Sequence, residues 1–461
     1  MMLIDDVKRT GMDYGIFERL NEAWAWWRRW VPAPGRVRIV ADDDSDGITS
    51  AFIVGTVLKR VGYEVDIKAM PVHSPADVDV AMKEPRDGYV ILDMGSAVLE
   101  YIDSFRIPTL VIDHHRVHDV NPQNTFEVNP RRIGGDKAAH VSTSVLAGLF
   151  AVALAEENWS LAFAGVAGGI SDRQHLGGFN GLLGYLAAGA VANGYLASSK
   201  GLTLVGETVE DAVTQSLDPF FESYTGNREA TRALLKRLDI DFAASPIRLA
   251  DEKARRLASE LESALRAKGV VVDRMYPLYA ERYLLRNLPE VPSVFGLAQL
   301  MEAATAEEAH EIALGVLRGD RGATRHAQAL YRRRQADLLK EASRLRDKKQ
   351  ELPHLRWAET IDEANTGVYA HTLLTFVYGD DKPFLIVAKR GNDAKFSGRG
   401  SSRLFLNGVD LSIGMDEAAR SVGGHGGGHP GASGATVPYA KRDDFLAKLS
   451  DVLGRLRRGP P

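Results

Sequence analysis

Arg36 to Ser50 reads R-V-R-I-V-A-D-D-D-S-D-G-I-T-S. Val37, Ile39 and Val40 form a β-branched run that predicts a buried parallel strand. It passes directly into Asp42, Asp43, Asp44 and Asp46, then Gly47 and a helix-forming segment beginning T-S-A-F-I-V. In open α/β sheets, ligands bind beyond the C-terminal ends of the strands, beside helix starts. Carboxylates crowded there repel one another unless a cation neutralises them. An acidic turn with an aspartate helix cap would use the same residues, so acids further along the chain must decide between the two readings.

The 461 residues leave room for two or three domains with cores of their own. With 45% hydrophobic and 26% charged residues, the balance is that of a soluble globular protein. The net charge of -4 confines any nucleic-acid surface to a local basic patch. The absence of cysteine excludes disulfides and thiolate-bound zinc, and fits a reducing compartment. The start M-M-L-I-D-D-V-K-R lacks the apolar core of a secretory signal, and no apolar run is long enough to span a membrane. The expectation is a cytoplasmic protein with no membrane association.

Residues 1–35 read as an amphipathic helix ending at P-A-P-G. Trp24, Trp27 and Trp30 recur at helical spacing with Arg28 and Arg29 between them. Docking of an aromatic face on the core is favoured over base stacking. V-D-I-K-A-M, Y-V-I-L-D-M and T-L-V-I-D then read as three further strands separated by helical stretches, which implies βαβ units and a parallel sheet. Two of them again end in acid, at Asp93 of D-M-G-S and at Asp113 of D-H-H-R. A further acid, Asp172, comes after the small-residue helix L-A-F-A-G-V-A-G-G-I-S. One strand-terminal aspartate is a common cap; three acidic strand ends on one sheet edge point instead to divalent cations. Carboxylates with imidazole suit manganese or magnesium, and the number of acids would allow two ions bound side by side.

The ordered set Asp42-x-Asp44-x-Asp46-Gly, Asp93, Asp113-His114-His115 and Asp172 resembles the signature of the DHH phosphoesterases. That superfamily includes RecJ exonucleases, family II inorganic pyrophosphatases and oligoribonucleases. G-H-G-G-G-H-P-G-A-S-G (Gly424 to Gly434) resembles the G-G-G-H motif of its C-terminal DHH-associated domain, and D-M-G-S is similar to archaeal RecJ-like proteins. The resemblance implies metal ligands at Asp42, Asp44, Asp46, Asp93, His114 and Asp172. It implies catalytic roles for Asp93, for Asp113 as the partner that orients an imidazole, and for His115 facing the substrate phosphate. Many relatives carry a histidine where this chain has Val40. Ser397-x-Arg399 matches an element preceding G-G-G-H, so Ser397, Arg399, Gly427, Gly428 and His429 are the implied substrate-binding residues, with Arg390 a weaker candidate.

Other stretches carry less. Asn129 to Lys137 and Ser142 to Ser144 could hold phosphates, or form a plain loop and helix cap. His118, His140 and His175 read as surface or packing residues. Residues 207–350 are charge-rich and helical, and the runs Tyr331–Arg334 and Arg344–Lys349 read as a solvated helix face with ion pairs. From about Thr360, V-Y-A-H-T-L-L-T-F-V-Y and P-F-L-I-V-A-K-R read as strands, the glycine-histidine stretch as a turn, and the terminal R-R-G-P-P as a frayed tail.

The expected fold is α/β, with a parallel-sheet DHH domain over residues 1–206, a helical connector or inserted domain over 207–355, and a C-terminal substrate-binding domain over 356–461. The expected function is metal-dependent exonuclease action on single-stranded nucleic acid, DNA or RNA, in replication or repair, using two divalent cations, Mn2+ ahead of Mg2+. Alternatives are an oligoribonuclease or (di)nucleotide phosphatase, or a replication scaffold with residual nuclease activity. By resemblance, GINS and other replisome proteins are candidate partners.

Overall fold

The computed structural model describes residues 14–134, 141–272 and 275–458. His140, part of the 129–137 loop, the start of the N-terminal helix and the last residues of the tail lie outside them. The chain forms two compact units, one of residues 1–203 and 273–332, the other of 204–272 and 333–461. The segment 207–355 is therefore not a body of its own but is divided between the two. Charge-rich amphipathic helices show which face is buried, not which core buries it.

In the first unit five strands pair side by side in the order β2-β1-β3-β4-β5. They are β1 (Arg36–Ala41), β2 (Glu64–Ala69), β3 (Gly88–Leu92), β4 (Thr109–Ile112) and β5 (Thr125–Val128), and every pairing is parallel. Successive residues of one strand serve different cores, as a strand's period of two requires. Ile39, Val90 and Leu110 join the cluster with Trp27, Val54 and Phe150, whereas Val40, Ile91 and Val111 join Val78, Leu99 and Ile102. Helices thus cover both faces, which explains the near-continuous apolar character of these strands. Of the tryptophans, Trp27 is fully buried and Trp24 packs on the core, while Trp30 stays 52% exposed. Neighbours switch sides at β1, between β2 and β3, and the crevice at such a switch point is where this kind of sheet binds ligands. Strands β6 (Leu196–Leu202) and β7 (Tyr279–Leu285) form a separate antiparallel pair. Strand β7 falls in the region expected to be helical throughout.

The second unit contains a six-stranded mixed sheet in the order β12-β13-β11-β10-β9-β8. These are β8 (Gln350–Glu351), β9 (Arg356–Thr360), β10 (Phe384–Arg390), β11 (Asp393–Arg399), β12 (His425–His429) and β13 (Ala432–Pro438). Two expectations fail here. The run Val368–Tyr378 is not a strand: it belongs to the helix Thr366–Thr372 and a further helical stretch, Leu373–Tyr378. Its buried residues Tyr369, Leu373 and Phe376 recur at helical spacing, which overrides the strand propensity of its aromatic and branched residues. The glycine-histidine stretch is not a turn but strand β12, since β13 supplies its ladder partners. Within the basic run Arg344–Lys349, Arg344 pairs with Glu341 at 2.7 Å, Arg346 with Asp347 at 3.0 Å and Lys349 with Glu351 at 2.9 Å. Among the described residues, no helix is long and apolar enough to cross a membrane.

Candidate metal centre

The acids are brought together by the ladder itself. The amides of Asp42, Asp93 and Asp113 donate to Leu92, Ile112 and Val128, the last residues of the neighbouring strands, at 3.1, 2.9 and 3.0 Å. Each aspartate therefore extends the sheet by one residue, and the three line one edge. Asp93 turns there through a left-handed conformation, φ 66°, which short polar side chains tolerate better than others. Asp44 caps the helix Ser45–Arg60 by accepting from Gly47 N at 2.9 Å.

Asp46, only 3% exposed, reaches across to the helix Thr143–Leu154 and accepts the amides of Thr143 and Ser144 at 2.8 and 3.0 Å. Those amides, open on sequence grounds to phosphate, hold a carboxylate instead; an anion at a helix N-terminus is stabilised by the same free N–H groups. The Thr143 hydroxyl donates to Asp93 Oδ1 at 3.0 Å. Gly168 lets the helix Ala162–Ser171 approach, since a Cβ there would lie 2.3 Å from Thr49 Oγ1 and 2.4 Å from Ser144 Oγ. That close approach delivers Asp172, at the end of this helix, to the acids.

His114 lies between two of them, with Nε2 3.3 Å from Asp93 Oδ1 and Nδ1 3.9 Å from Asp172 Oδ2. Ligand atoms converge within 4.8 Å of one another in two groups, Asp93–His114–His115 and Asp46–His114–Asp172. Asp42 and Asp44 stand beside these groups but belong to neither. Asp113 is fully buried and accepts the amides of Ser96, His114 and His115 and the His115 ring Nδ1, at 3.0, 2.7, 3.0 and 2.9 Å. Its oxygens are occupied, so it orients the histidine pair. Around it, Ser96 donates to buried Glu127 at 2.6 Å, Asn129 to Ser96 and to the His115 carbonyl, and Arg131 to the His114 carbonyl.

The electrostatics are those of a site lacking countercharge. Burial, then repulsion from Asp46 and Asp44, pushes the Asp93 carboxyl well above the usual range. Burial and Asp46 push Asp44 up to about 6 and Asp172 up to about 7, and burial also raises Asp42. Burial holds the His114 imidazole below its ordinary pKa, whereas the Asp113 hydrogen bond raises that of His115. Burial alone would raise Asp113, but the His115 ring and the amide donors outweigh it and leave this carboxyl well below the usual range. The His114 Nδ1 atom is buried without a hydrogen-bond partner among the described residues. A neutral imidazole with an unused nitrogen, among carboxyls held up by mutual repulsion, fits a divalent cation with oxygen and nitrogen ligands.

These shifts make stability depend on pH, and would do the same for metal binding at these acids. Because Asp44 and Asp172 hold protons in the folded state that they release when unfolded, their contribution to metal-free stability is present below about pH 4 and lost as pH rises through about 6 and 7. A metal ion held by these acids would have to displace the same protons. Calorimetric Mn2+ affinity should therefore rise by at least about tenfold from about pH 5.5 to 7.5; a flat profile would remove these acids from the ligand set.

In the second unit, register gathers residues that the sequence separates. Ser397 pairs with Gly434 and Gly434 with Gly427, and Arg399 pairs with Ala432 and Ala432 with His429. Ser397, Arg399, Gly427 and His429 therefore share one face of the sheet, two rows apart at most. Gly428 falls on the opposite face at φ 133°, where a Cβ would meet Ala432 O at 2.7 Å. Ser397 Oγ lies 2.8 Å from Thr366 Oγ1. Arg390 is exposed, with Glu363 3.9 Å away.

Ser96, Thr143 and Glu127 went unnoticed as supports of the centre. Ser96 lies in D-M-G-S and Thr143 between Ser142 and Ser144, but nothing local marks Glu127, one acid within a short strand. His73, also unnoticed, lies near enough to Asp42 to favour its ionised form. Its turn is anchored by Asp77, which accepts the amides of His73 and Ser74 at 3.1 and 2.9 Å. His175 packs against Phe179, Tyr276 and Phe295.

The model of the DHH family, N-terminal domain, matches residues 36–166, and that of the DHHA1 domain matches residues 359–455. An uncharacterized protein of Methanocaldococcus jannaschii is 25% identical over 437 residues, 92% of this chain and 95% of that protein. RecJ of Thermus thermophilus, crystallised with Mn2+, shares the fold with a TM-score of 0.59 at 17% identity, over 95% of this chain. The chain spans only 55% of that RecJ. CDC45 of Entamoeba histolytica shares it with a TM-score of 0.65 at 12% identity, over 95% of this chain and 99% of CDC45.

Proposed function

Since this chain belongs to the DHH family, carrying both its N-terminal domain and a DHHA1 domain, we propose that it is a divalent-metal-dependent phosphodiesterase that degrades single-stranded nucleic acid from an end. The observation that carries this reading is the acidic centre itself: Asp46, Asp93 and Asp172 gather in two ligand groups that share His114, whose buried Nδ1 has no hydrogen-bond partner among the described residues. A protein using the fold only as a scaffold would have no need to keep so costly a cluster buried.

Two cations, manganese in the first instance, would be held by Asp46, Asp93, His114 and Asp172, with Asp42 and Asp44 completing the set. Bound there, they supply Lewis acidity to the attacking water and to the scissile phosphoryl group. The protein's own part is positioning. Thr143 and Ser144 hold Asp46, Asp113 holds the histidine pair, and the raised pKa of His115 favours the cation that would face a phosphoryl oxygen. On the DHHA1 sheet, Arg399 and His429 would grip the phosphate backbone of the strand. Arg399→Ala should raise KM about tenfold or more with metal content unchanged; loss of bound manganese would mean that Arg399 acts elsewhere.

The test uses single-stranded DNA and RNA labelled at either end, beside a dinucleotide, with Mn2+ present. Stepwise shortening from one end supports the reading and shows its polarity and sugar preference. Cleavage confined to the dinucleotide would make the protein an oligoribonuclease. No hydrolysis with any metal would leave the scaffold role, for which retention of GINS on the purified chain is the assay.

A further inference from the structure

The helix Ser45–Arg60 holds the metal centre at its N-terminal end; at its other end lies a second feature. Phe52, Gly55, Thr56, Lys59 and Arg60 recur along one face of this helix and line a cavity of about 340 Å³. Ile67 of the edge strand β2 and Arg318, just beyond the helix His310–Leu317, complete the lining. The floor is apolar and the rim is cationic.

The rim cations have no countercharge among the described residues. Lys59 and Arg318 are exposed, with no carboxylate within ion-pair distance. Arg60 donates to two neutral oxygens, Asn158 Oδ1 at 2.6 Å and Ser160 Oγ at 3.2 Å. Elsewhere in the unit a cluster of this kind is neutralised: Arg38 and Arg86 share Asp66 and Glu84. Helix ends account for part of the difference, because Lys59 and Arg60 lie in the last turn of one helix and Arg318 comes just after another. Each end contributes only about half a negative charge, so three cations leave a surplus.

We propose that this cavity binds a small phosphomonoester, its phosphate among Lys59, Arg60 and Arg318 and its apolar part against Phe52 and Ile67. A phosphomonoester carries a charge of about -1.5 to -2 near neutral pH, which matches the surplus. The volume falls at the low end of small-ligand pockets and suits a mononucleotide-sized molecule. The site stands apart from the metal centre and does not depend on the hydrolytic reading.

Calorimetry on the full chain carrying Asp93→Asn, in chelator, with adenosine 5′-monophosphate as probe separates this site from the metal centre. Saturable binding is expected, tighter than for inorganic phosphate or adenosine alone. Adding Lys59→Ala and Arg318→Ala should weaken it by at least about tenfold, while adding His115→Ala leaves it in place. Absence of saturable binding, binding that survives the double replacement, or equal affinity for inorganic phosphate would each overturn the proposal.

Discussion

Asp93→Asn is expected to lower metal-dependent hydrolysis by at least about 1,000-fold while making the metal-free protein more stable. Asparagine preserves the volume, tolerates the left-handed backbone at φ 66° and can still accept from the Thr143 hydroxyl. What it removes is charge. Asp93 is buried against Asp44 and Asp46, and its ionised form is opposed by both. Relief of that repulsion at about pH 8 in chelator should gain about 1 kcal/mol, a rise of about 2–4 °C in Tm for a domain of this size. The wild-type chain should gain stability on adding manganese and the variant much less. Full activity in the variant would show that Asp93 binds no metal. A lower Tm without metal would show that the acids do not repel as the geometry implies.

Asp113→Ala should cost about 3–5 kcal/mol of stability in urea unfolding, and activity with it. Four donors converge on this carboxylate, three of them backbone amides, and alanine leaves those amides without their acceptor, while the His115 ring is 57% exposed. The deficit should depend on pH in both directions. The carboxyl is depressed in the fold, so its stabilisation is present above about pH 4 and lost on acidification; the His115 ring is raised, so its share is present below about pH 6.5 and lost as pH rises through its folded value. The deficit should therefore be greatest near about pH 5–6. A deficit under about 1 kcal/mol there would mean that Asp113 does not hold the histidine pair.

Local chemistry made much of this protein legible in its sequence. A β-branched run ending in acid, three times over, predicts parallel strands that carry aspartates to one edge, because strand period and strand-end position are local properties. The pairing Asp113-His114-His115, the acid Asp172 and the stretches around Ser397-x-Arg399 and Gly427-Gly428-His429 are likewise short-range patterns. Tertiary structure alone decided which groups those residues meet. Asp46 takes amides 97 and 98 residues away, Glu127 takes the Ser96 hydroxyl, and Arg399 and His429 share a sheet face through the register of β13. Such partners depend on long-range packing and register, which leave no local periodicity to read. The same reason underlies the errors. The apolar run Val368–Tyr378 has strand propensity but buries a helical stripe, β12 is a strand only because β13 pairs with it, and the helices after residue 207 reveal an apolar face without revealing which of two cores receives it.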